Sequence, residues 1–142
     1  MDNKVSGTIY VLRSKSDHPY VAAHRELVHK IGVTGSDLAA RIANARLDPT
    51  FLMADVEVVA TYKLYNINRI KLENLIHRMF ERARLDIEVK DRFGTPVIPR
   101  EWFLVPVFVV NEVVERIKDG TITQYIYDPR TATLVEADAD SY

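Results

Sequence analysis

The chain has 142 residues, 47% of them hydrophobic, and a net charge of −1, which indicates one globular domain and excludes nucleic-acid binding through bulk positive charge. The absence of cysteine excludes disulfides, thiolate nucleophiles and cysteine-ligated zinc sites. No apolar run approaches the roughly 18 residues of a membrane span and the start lacks a signal peptide, so we expect a cytoplasmic protein with no membrane contact.

Two strands are predicted near the start of the chain. The β-branched and aromatic run TIYVL at residues 8–12 is typical of a buried strand. A second strand is predicted over residues 27–33, where a Gly-Val-Thr-Gly sequence gives a stop signal. The loop SKSDHPY between them is too short for a parallel crossover, so the two strands should pair antiparallel.

Two helices and a third strand are predicted next. A helix begins after Ser36 or Asp37 and ends at Asp48. A strand over residues 55–64 has four residues expected on one face: Val56, Val58, Ala60 and Tyr62. Asn66 is the predicted cap of a longer amphipathic helix over residues 67–84, whose apolar stripe is Leu72, Leu75, Ile76 and Met79.

The remaining chain predicts a loop at residues 90–101, a short strand running into a helix that ends at Gly120, and a hairpin. The order predicts an α+β fold with a small, mainly antiparallel three-stranded central sheet flanked by helices. We divide it into an N-terminal tail (1–6), a core (7–104), a C-terminal helix and hairpin extension (105–136) and a disordered tail (137–142).

Tyr10, Lys30 and Arg41 are polar residues at or beside positions predicted to be buried. Each has an ordinary structural explanation: a core tyrosine, an edge-strand lysine that opposes aggregation, and a solvated helix charge. Only their combination points to function.

The long helix carries two further candidates and a basic face. Glu73 and His77 are four residues apart and share one face, where a carboxylate could hold Mg²⁺ or could simply form an exposed pair with the histidine. The same helix has an excess of positive charge, which indicates either a face that binds phosphate or an ordinary solvated helix. The basic residues are Arg69, Lys71, Arg78, Arg82 and Arg84. No P-loop, dinucleotide-binding or nucleophile-elbow motif is present.

Taken in order, five short motifs resemble the GIY-YIG nuclease superfamily. They are Gly7-Thr-Ile-Tyr10, Lys30-Ile-Gly32, an arginine after the next helix cap, the glutamate of LENLIH, and the tripeptide Glu101-Trp102-Phe103. The chain is most similar to the branch, with meiotically up-regulated and phage-type members, in which KIG replaces YIG and EWF comes later. The resemblance spans residues 7–103.

The resemblance implies a Mg²⁺- or Mn²⁺-dependent endonuclease that hydrolyses DNA phosphodiester bonds. It implies that Tyr10 positions or activates water, that Arg41 binds the scissile phosphate, and that Glu73 holds the metal. Lys30 would supply positive charge that lowers the pKa of Tyr10, and His77 would support Glu73 or donate a proton. Substrate contacts are predicted for Arg13, Arg69, Lys71 and Trp102. Glu101 or Trp102 is the candidate counterpart of a late asparagine that many members carry.

Two functional hypotheses follow. The leading one is an endonuclease module of a longer protein, which needs a separate DNA-binding domain or a partner because its net charge is near zero. The alternative is a catalytically inactive module on the same fold that binds nucleic acid or protein. Substrate specificity, DNA against RNA, and oligomeric state are left open by the sequence.

Overall fold

The computed structural model describes residues 5–137. In chain order, the strands and helices are β1 (Val5–Ser14), α1 (Pro19–Ala23), β2 (Val28–Thr34), α2 (Leu38–Ile42), β3 (Val56–Tyr65), α3 (Arg69–Met79), β4 (Val89–Lys90), β5 (Pro96–Val97), β6 (Trp102–Leu104), α4 (Val107–Asp119), β7 (Tyr125–Asp128) and β8 (Thr133–Glu136). Short 3₁₀ turns span Ala45–Leu47, Pro49–Phe51, Glu81–Ala83 and Ile122–Gln124.

An antiparallel sheet in the order β3-β1-β2-β6 forms the centre of the fold, which confirms the α+β prediction. The predicted three strands are joined by β6, which pairs only with residues 28–30 of β2. Within the described chain, residues 31–34 of β2 therefore have no strand partner on that side. This uncovered edge is where the candidate site lies.

The two faces of the sheet bury different groups because successive side chains along a strand point to opposite sides. Ile9 and Val11 of β1 face the main core, which is formed with α3, α4 and the C-terminal segment. Tyr10 and Leu12 face a smaller core containing Ala45 and other residues of the α2 region. The C-terminal extension is thus packed into the main core, against the sheet.

A β-bulge corrects the prediction that four alternating residues of the third strand share one face. Val11 pairs with Ala60 and Leu12 pairs with Val58, so Val59 is an extra residue in β3. The bulge reverses the alternation: Ala60 and Tyr62 pack on the main core, whereas Val56 packs on the smaller core.

Several element boundaries also differ from the prediction. Asn68, not Asn66, caps α3, because its side chain accepts the N–H of Lys71 while Asn66 has a left-handed φ of 55° that cannot start a helix. The predicted helix after Asp37 is interrupted after Ile42 and continues as a 3₁₀ turn.

The predicted loops contain short elements as well. Helix α1 begins at Pro19, inside the first predicted loop, and the loop after α3 folds into the hairpin β4–β5. The final hairpin is confirmed as β7–β8. Strand β1 includes residues 5 and 6 of the predicted N-terminal tail, and all but Ala137 of the predicted disordered tail lies outside the described residues. Among the described residues, no helix is long and apolar enough to cross a membrane.

Candidate active site

Helix α3 runs alongside the uncovered edge of β2 and presents a row of three polar residues to it. Arg69, Glu73 and His77 are spaced by four residues and so lie on one helix face. A Cβ on Gly35 would lie 2.5 Å from the Arg69 guanidinium carbon, and His77 Nε2 is 3.1 Å from the carbonyl oxygen of Ile31. Eight helix residues and four strand residues both span roughly 12–13 Å, so the row matches the edge in length.

Glu73, His77 and Glu101 form a cluster that could hold a metal ion. One ligand atom from each lies within 4.8 Å of the others, and all three side chains are half-buried. His77 Nε2 donates to the Ile31 carbonyl, which leaves its Nδ1 lone pair free. The Ile31 N–H donates to the backbone carbonyl of Glu101 at 3.0 Å, so the pairing of β2 with the start of β6 places Glu101 opposite the helix.

Lys30 forms a buried ion pair with the same Glu101. Its Nζ lies 2.8 Å from Glu101 Oε2, and the lysine side chain is 3% exposed. The ammonium also donates to the carbonyl of Thr50 at 3.3 Å and lies 4.9 Å from the centre of the Phe51 ring. The pair fixes the Glu101 carboxylate at the cluster.

Burial alone would raise the pKa of Glu101, but the charge and hydrogen bond of Lys30 outweigh it, and the pKa lies below its ordinary value of 4.5. A depressed carboxyl pKa stabilises the fold above the unfolded-state value, and this contribution is lost as the pH falls through the lower folded value. The ion pair should therefore contribute fully at neutral pH and disappear in acid below about 4.5.

Glu101→Ala is expected to lower the free energy of unfolding by about 2 kcal/mol at pH 7, because it leaves the Lys30 ammonium buried without a counter-charge. The figure is smaller than for a fully buried pair because the Glu101 side chain is 26% exposed. Urea denaturation measures the loss. The double variant Lys30→Met/Glu101→Ala should recover most of it, and equal stability of the two variants would contradict the buried-charge argument.

Tyr10 and Arg41 meet on the other face of the same strand edge. Tyr10 pairs with Gly32 across β1 and β2, and its ring lies over that glycine, where a Cβ would be 2.5 Å from the ring carbon Cζ. Arg41 Nε donates to the Tyr10 hydroxyl at 3.2 Å. Tyr10 has no exposed surface, whereas Arg41 is exposed, so the guanidinium covers the hydroxyl from the solvent side.

Burial raises the pKa of Tyr10 above 10, and the hydrogen bond from Arg41 lowers it by less. The negative charges of Glu101 and Glu73 raise this pKa further. Tyr10 is therefore protonated at neutral pH. The predicted role of Lys30 in lowering this pKa is corrected: Lys30 is paired with Glu101, and the cation at the tyrosine is Arg41.

Three residues predicted to contact the substrate lie away from the cluster and from the Tyr10–Arg41 pair. Trp102 is fully buried and its indole N–H donates to the Thr50 carbonyl at 3.0 Å, so it is a core residue with no surface for a substrate. Arg13 pairs with His29 across β1 and β2, before the open part of the β2 edge, and its Nη2 lies 3.3 Å from His29 Nε2. Lys71 is exposed on α3, two residues beyond Arg69 and hence off the row.

The remaining predicted site residues lie at the outer edge of β2 together with Glu101. They are Tyr10, Lys30, Arg41, Arg69, Glu73 and His77. Sequence reasoning noted Glu101 only as a counterpart of a late asparagine and did not include it among the site residues. The EWF tripeptide was the available signal, but the contact depends on the pairing of β6 with β2.

A basic groove continues from His77 along the second half of α3. A cavity of about 590 Å³ is lined by Asn74, His77, Arg78, Glu81 and Arg84. Neither Arg78 nor Arg84 has an ion-pair partner in the described part of the chain, and Arg84 lies over the Phe103 ring at 5.9 Å. The groove thus offers free guanidinium groups next to the cluster.

Comparison with known families matches residues 7–118 to the family described as the T5orf172 domain. Among curated proteins, the chain is 35% identical over 127 residues to a protein of Bacillus subtilis (strain 168) whose name is "Uncharacterized protein YeeC". That match covers 89% of this chain and 32% of the relative, so the chain spans about a third of the length of the relative. No solved structure matches the chain.

Proposed function

The chain belongs to the T5orf172 domain family, and from the geometry of its site we propose that it is a GIY-YIG-type endonuclease that hydrolyses DNA phosphodiester bonds with a divalent metal. The observation that carries the proposal is that the hydrogen-bonded pair Tyr10–Arg41 and a cluster with two carboxylates lie on the two faces of the same edge of β2. A hydroxyl, a guanidinium and an acidic cluster are the groups that phosphodiester hydrolysis needs.

The cluster fits a hard divalent cation. Glu73 and Glu101 supply carboxylate oxygens, which Mg²⁺ and Mn²⁺ prefer, and the open edge leaves space for water ligands. When bound, the cation would act as a Lewis acid at the scissile phosphate. This assignment leaves His77 Nδ1 to accept the proton of the attacking water.

Arg41 is suited to bind the scissile phosphate. Its Nε donates a hydrogen bond to Tyr10, and its two terminal nitrogens have no ion-pair partner among the described residues. A guanidinium held at Nε presents these nitrogens as a fork that matches two phosphate oxygens. It would stabilise the charge that builds up on the phosphate in the transition state.

Tyr10 acts as a neutral hydroxyl in this scheme. It accepts a hydrogen bond from Arg41, so its own proton is available to a water molecule or a phosphate oxygen. Because its pKa is raised, it orients the attacking water instead of removing a proton from it.

Contacts with flanking DNA are assigned to Arg69 and to Arg78 and Arg84 of the basic groove. The stem of Arg69 lies over Gly7 of β1, where a Cβ would be 2.8 Å from its Cγ, and its guanidinium lies at Gly35, so the two glycines leave room for this side chain where β1 begins and β2 ends. With a net charge of −1, binding by this chain alone should be weak and sensitive to salt. We expect a further DNA-binding region or a partner protein to supply the remaining affinity.

Cleavage of supercoiled plasmid and of a branched duplex at low salt tests the proposal. The wild-type protein should nick DNA with Mg²⁺ or Mn²⁺ and not with EDTA. Tyr10→Phe should be about 100-fold slower, because the orientation of the water and the hydrogen bond that holds Arg41 are both lost. The absence of nicking at high protein concentration with either metal would favour the inactive binding module instead.

The pH profile separates the two roles of Tyr10. Because the hydroxyl stays protonated below pH 9, wild type and Tyr10→Phe should show the same dependence of rate on pH between 7 and 9. A wild-type rate that rises tenfold per pH unit, with the slope absent in Tyr10→Phe, would show that the tyrosine is the base.

A further inference from the structure

The hairpin β4–β5 holds an aromatic ring out in solvent. Phe93, in the turn between the strands, is 79% exposed, more than any other large hydrophobic side chain in the described part of the chain. The Arg92 guanidinium lies over its ring, 4.9 Å from the centre. One face of the ring is therefore covered by a cation, and the other is free.

Hydrogen bonds within the turn fix its backbone, so Phe93 is held in an exposed position. Asp91 Oδ1 accepts the N–H groups of Phe93 and Thr95 at 2.8 and 2.9 Å, and the Asp91 N–H donates to the Thr95 carbonyl. Gly94 adopts a φ of 82°, which a side chain would disfavour.

The hairpin is attached to the elements that build the candidate site. Val89 of β4 packs against the cluster that contains Leu85 and Trp102. Strand β5 leads through the buried Pro99 to Glu101, five residues after Pro96 begins the strand. The hairpin is therefore joined to the segment that carries Glu101 and is packed against the residue that follows it, Trp102.

The hairpin region carries cations beside its aromatic ring, in a sequence that also holds Glu88 and Asp91. Lys90, Arg92 and Arg100 have no ion-pair partner within residues 5–137. An aromatic ring flanked by free cations matches a ligand that combines flat rings with negative charge, as a single strand of nucleic acid does. Bases inside a duplex are already stacked and cannot meet an exposed ring without distortion.

We propose that the β4–β5 hairpin is a second nucleic-acid contact, in which Phe93 stacks on an unpaired base and Lys90 and Arg92 contact its phosphates. The inference rests on the proposed function for the class of substrate, and it narrows that class to DNA with a single-stranded or branched segment. It does not depend on the metal cluster.

Phe93→Trp provides a direct probe of stacking. The only native tryptophan, Trp102, is fully buried, so the new indole reports on the hairpin. In EDTA, a single-stranded oligonucleotide should quench its fluorescence and bind more tightly than the matched duplex. Phe93→Leu should weaken single-strand binding roughly 10-fold, because an apolar side chain remains but the ring is lost. Phe108→Leu, at an exposed phenylalanine on α4, is the matched control and should bind as wild type.

The salt dependence tests the phosphate contacts. Lys90→Gln should lower the slope of log K against log salt by about 0.7, the value for one lost contact to a single strand. Unchanged affinity in Phe93→Leu, or equal binding of single strand and duplex, would overturn the proposal and favour a protein partner for the exposed ring.

Failure of this inference is distinguishable from failure of the proposed function. Binding is measured without metal, and cleavage is measured with it. Single-strand binding that depends on Phe93, without any nicking, would refute the nuclease and support the hairpin contact. Nicking by a protein whose binding is indifferent to Phe93 would do the reverse.

Discussion

Glu73→Gln is expected to lower metal-dependent nicking by about 10³-fold, the largest effect of any substitution at the candidate site. Glutamine keeps the size of the side chain and removes the charge that a divalent cation needs. Glu73 has no ion-pair partner in the described residues, so its loss should leave the fold intact. Plasmid nicking under single-turnover conditions measures the rate, and circular dichroism checks the fold.

Metal binding at Glu73 can also be measured without catalysis, through the effect of Mn²⁺ on the Tm. Mn²⁺ should raise the Tm of the wild type, because a ligand that binds only the folded state stabilises it, and the rise should be lost in Glu73→Gln. Glu112→Gln is the matched control, since Glu112 is also half-buried on a helix but lies outside the cluster. Nicking by Glu73→Gln at the wild-type rate would show that the cluster is not the metal site.

The sequence predicts best the parts of the fold that depend on local periodicity. In α3, Leu72 and Ile76 are buried and Leu75 and Met79 are half-buried, as the spacing of three and four residues indicates. The alternation of a strand likewise places Arg13, three residues from Tyr10, on the opposite face of β1.

The features that the sequence could not supply depend on contacts between distant segments. The bulge at Val59 exists only in the pairing of β3 with β1. Glu101 and His77 are 24 residues apart in the sequence, and they meet only because β6 pairs with β2. The electrostatic partner of Lys30 followed from the same pairing, which is why its assignment to Tyr10 was wrong.

Glycine at position 32 is the clearest link between motif and geometry. The Tyr10 ring lies directly over Gly32, so the KIG motif needs glycine for space and not for backbone freedom. Because the outer side of β2 is paired with the β6 segment through Ile31, whose N–H donates to Glu101, this glycine also lies at the start of the open edge. Tyr10, Gly32 and Arg41 therefore form one unit whose spacing a single methyl group would disturb.

Gly32→Ala is expected to lower nicking by about 100-fold, because the new Cβ displaces the Tyr10 hydroxyl and breaks its hydrogen bond with Arg41. Overpacking should also reduce the free energy of unfolding by about 2 kcal/mol. Nicking assays and urea denaturation measure the two effects. Tyr10→Leu should cost less stability in the Gly32→Ala background than in the wild type, since a shorter side chain removes the overlap, and the double variant should remain slow.

Gly120→Ala is the control that distinguishes displacement of the Tyr10 hydroxyl from a general loss of stability. Gly120 ends α4 with a φ of 81° and open space around it, so alanine there is strained without touching the site. It should lower stability by about 1 kcal/mol or more and leave the rate of nicking unchanged at a temperature where it is folded. If Gly32→Ala also nicked at the wild-type rate, the position of the Tyr10 hydroxyl would have no part in the reaction, and Arg41 alone would have to orient the phosphate.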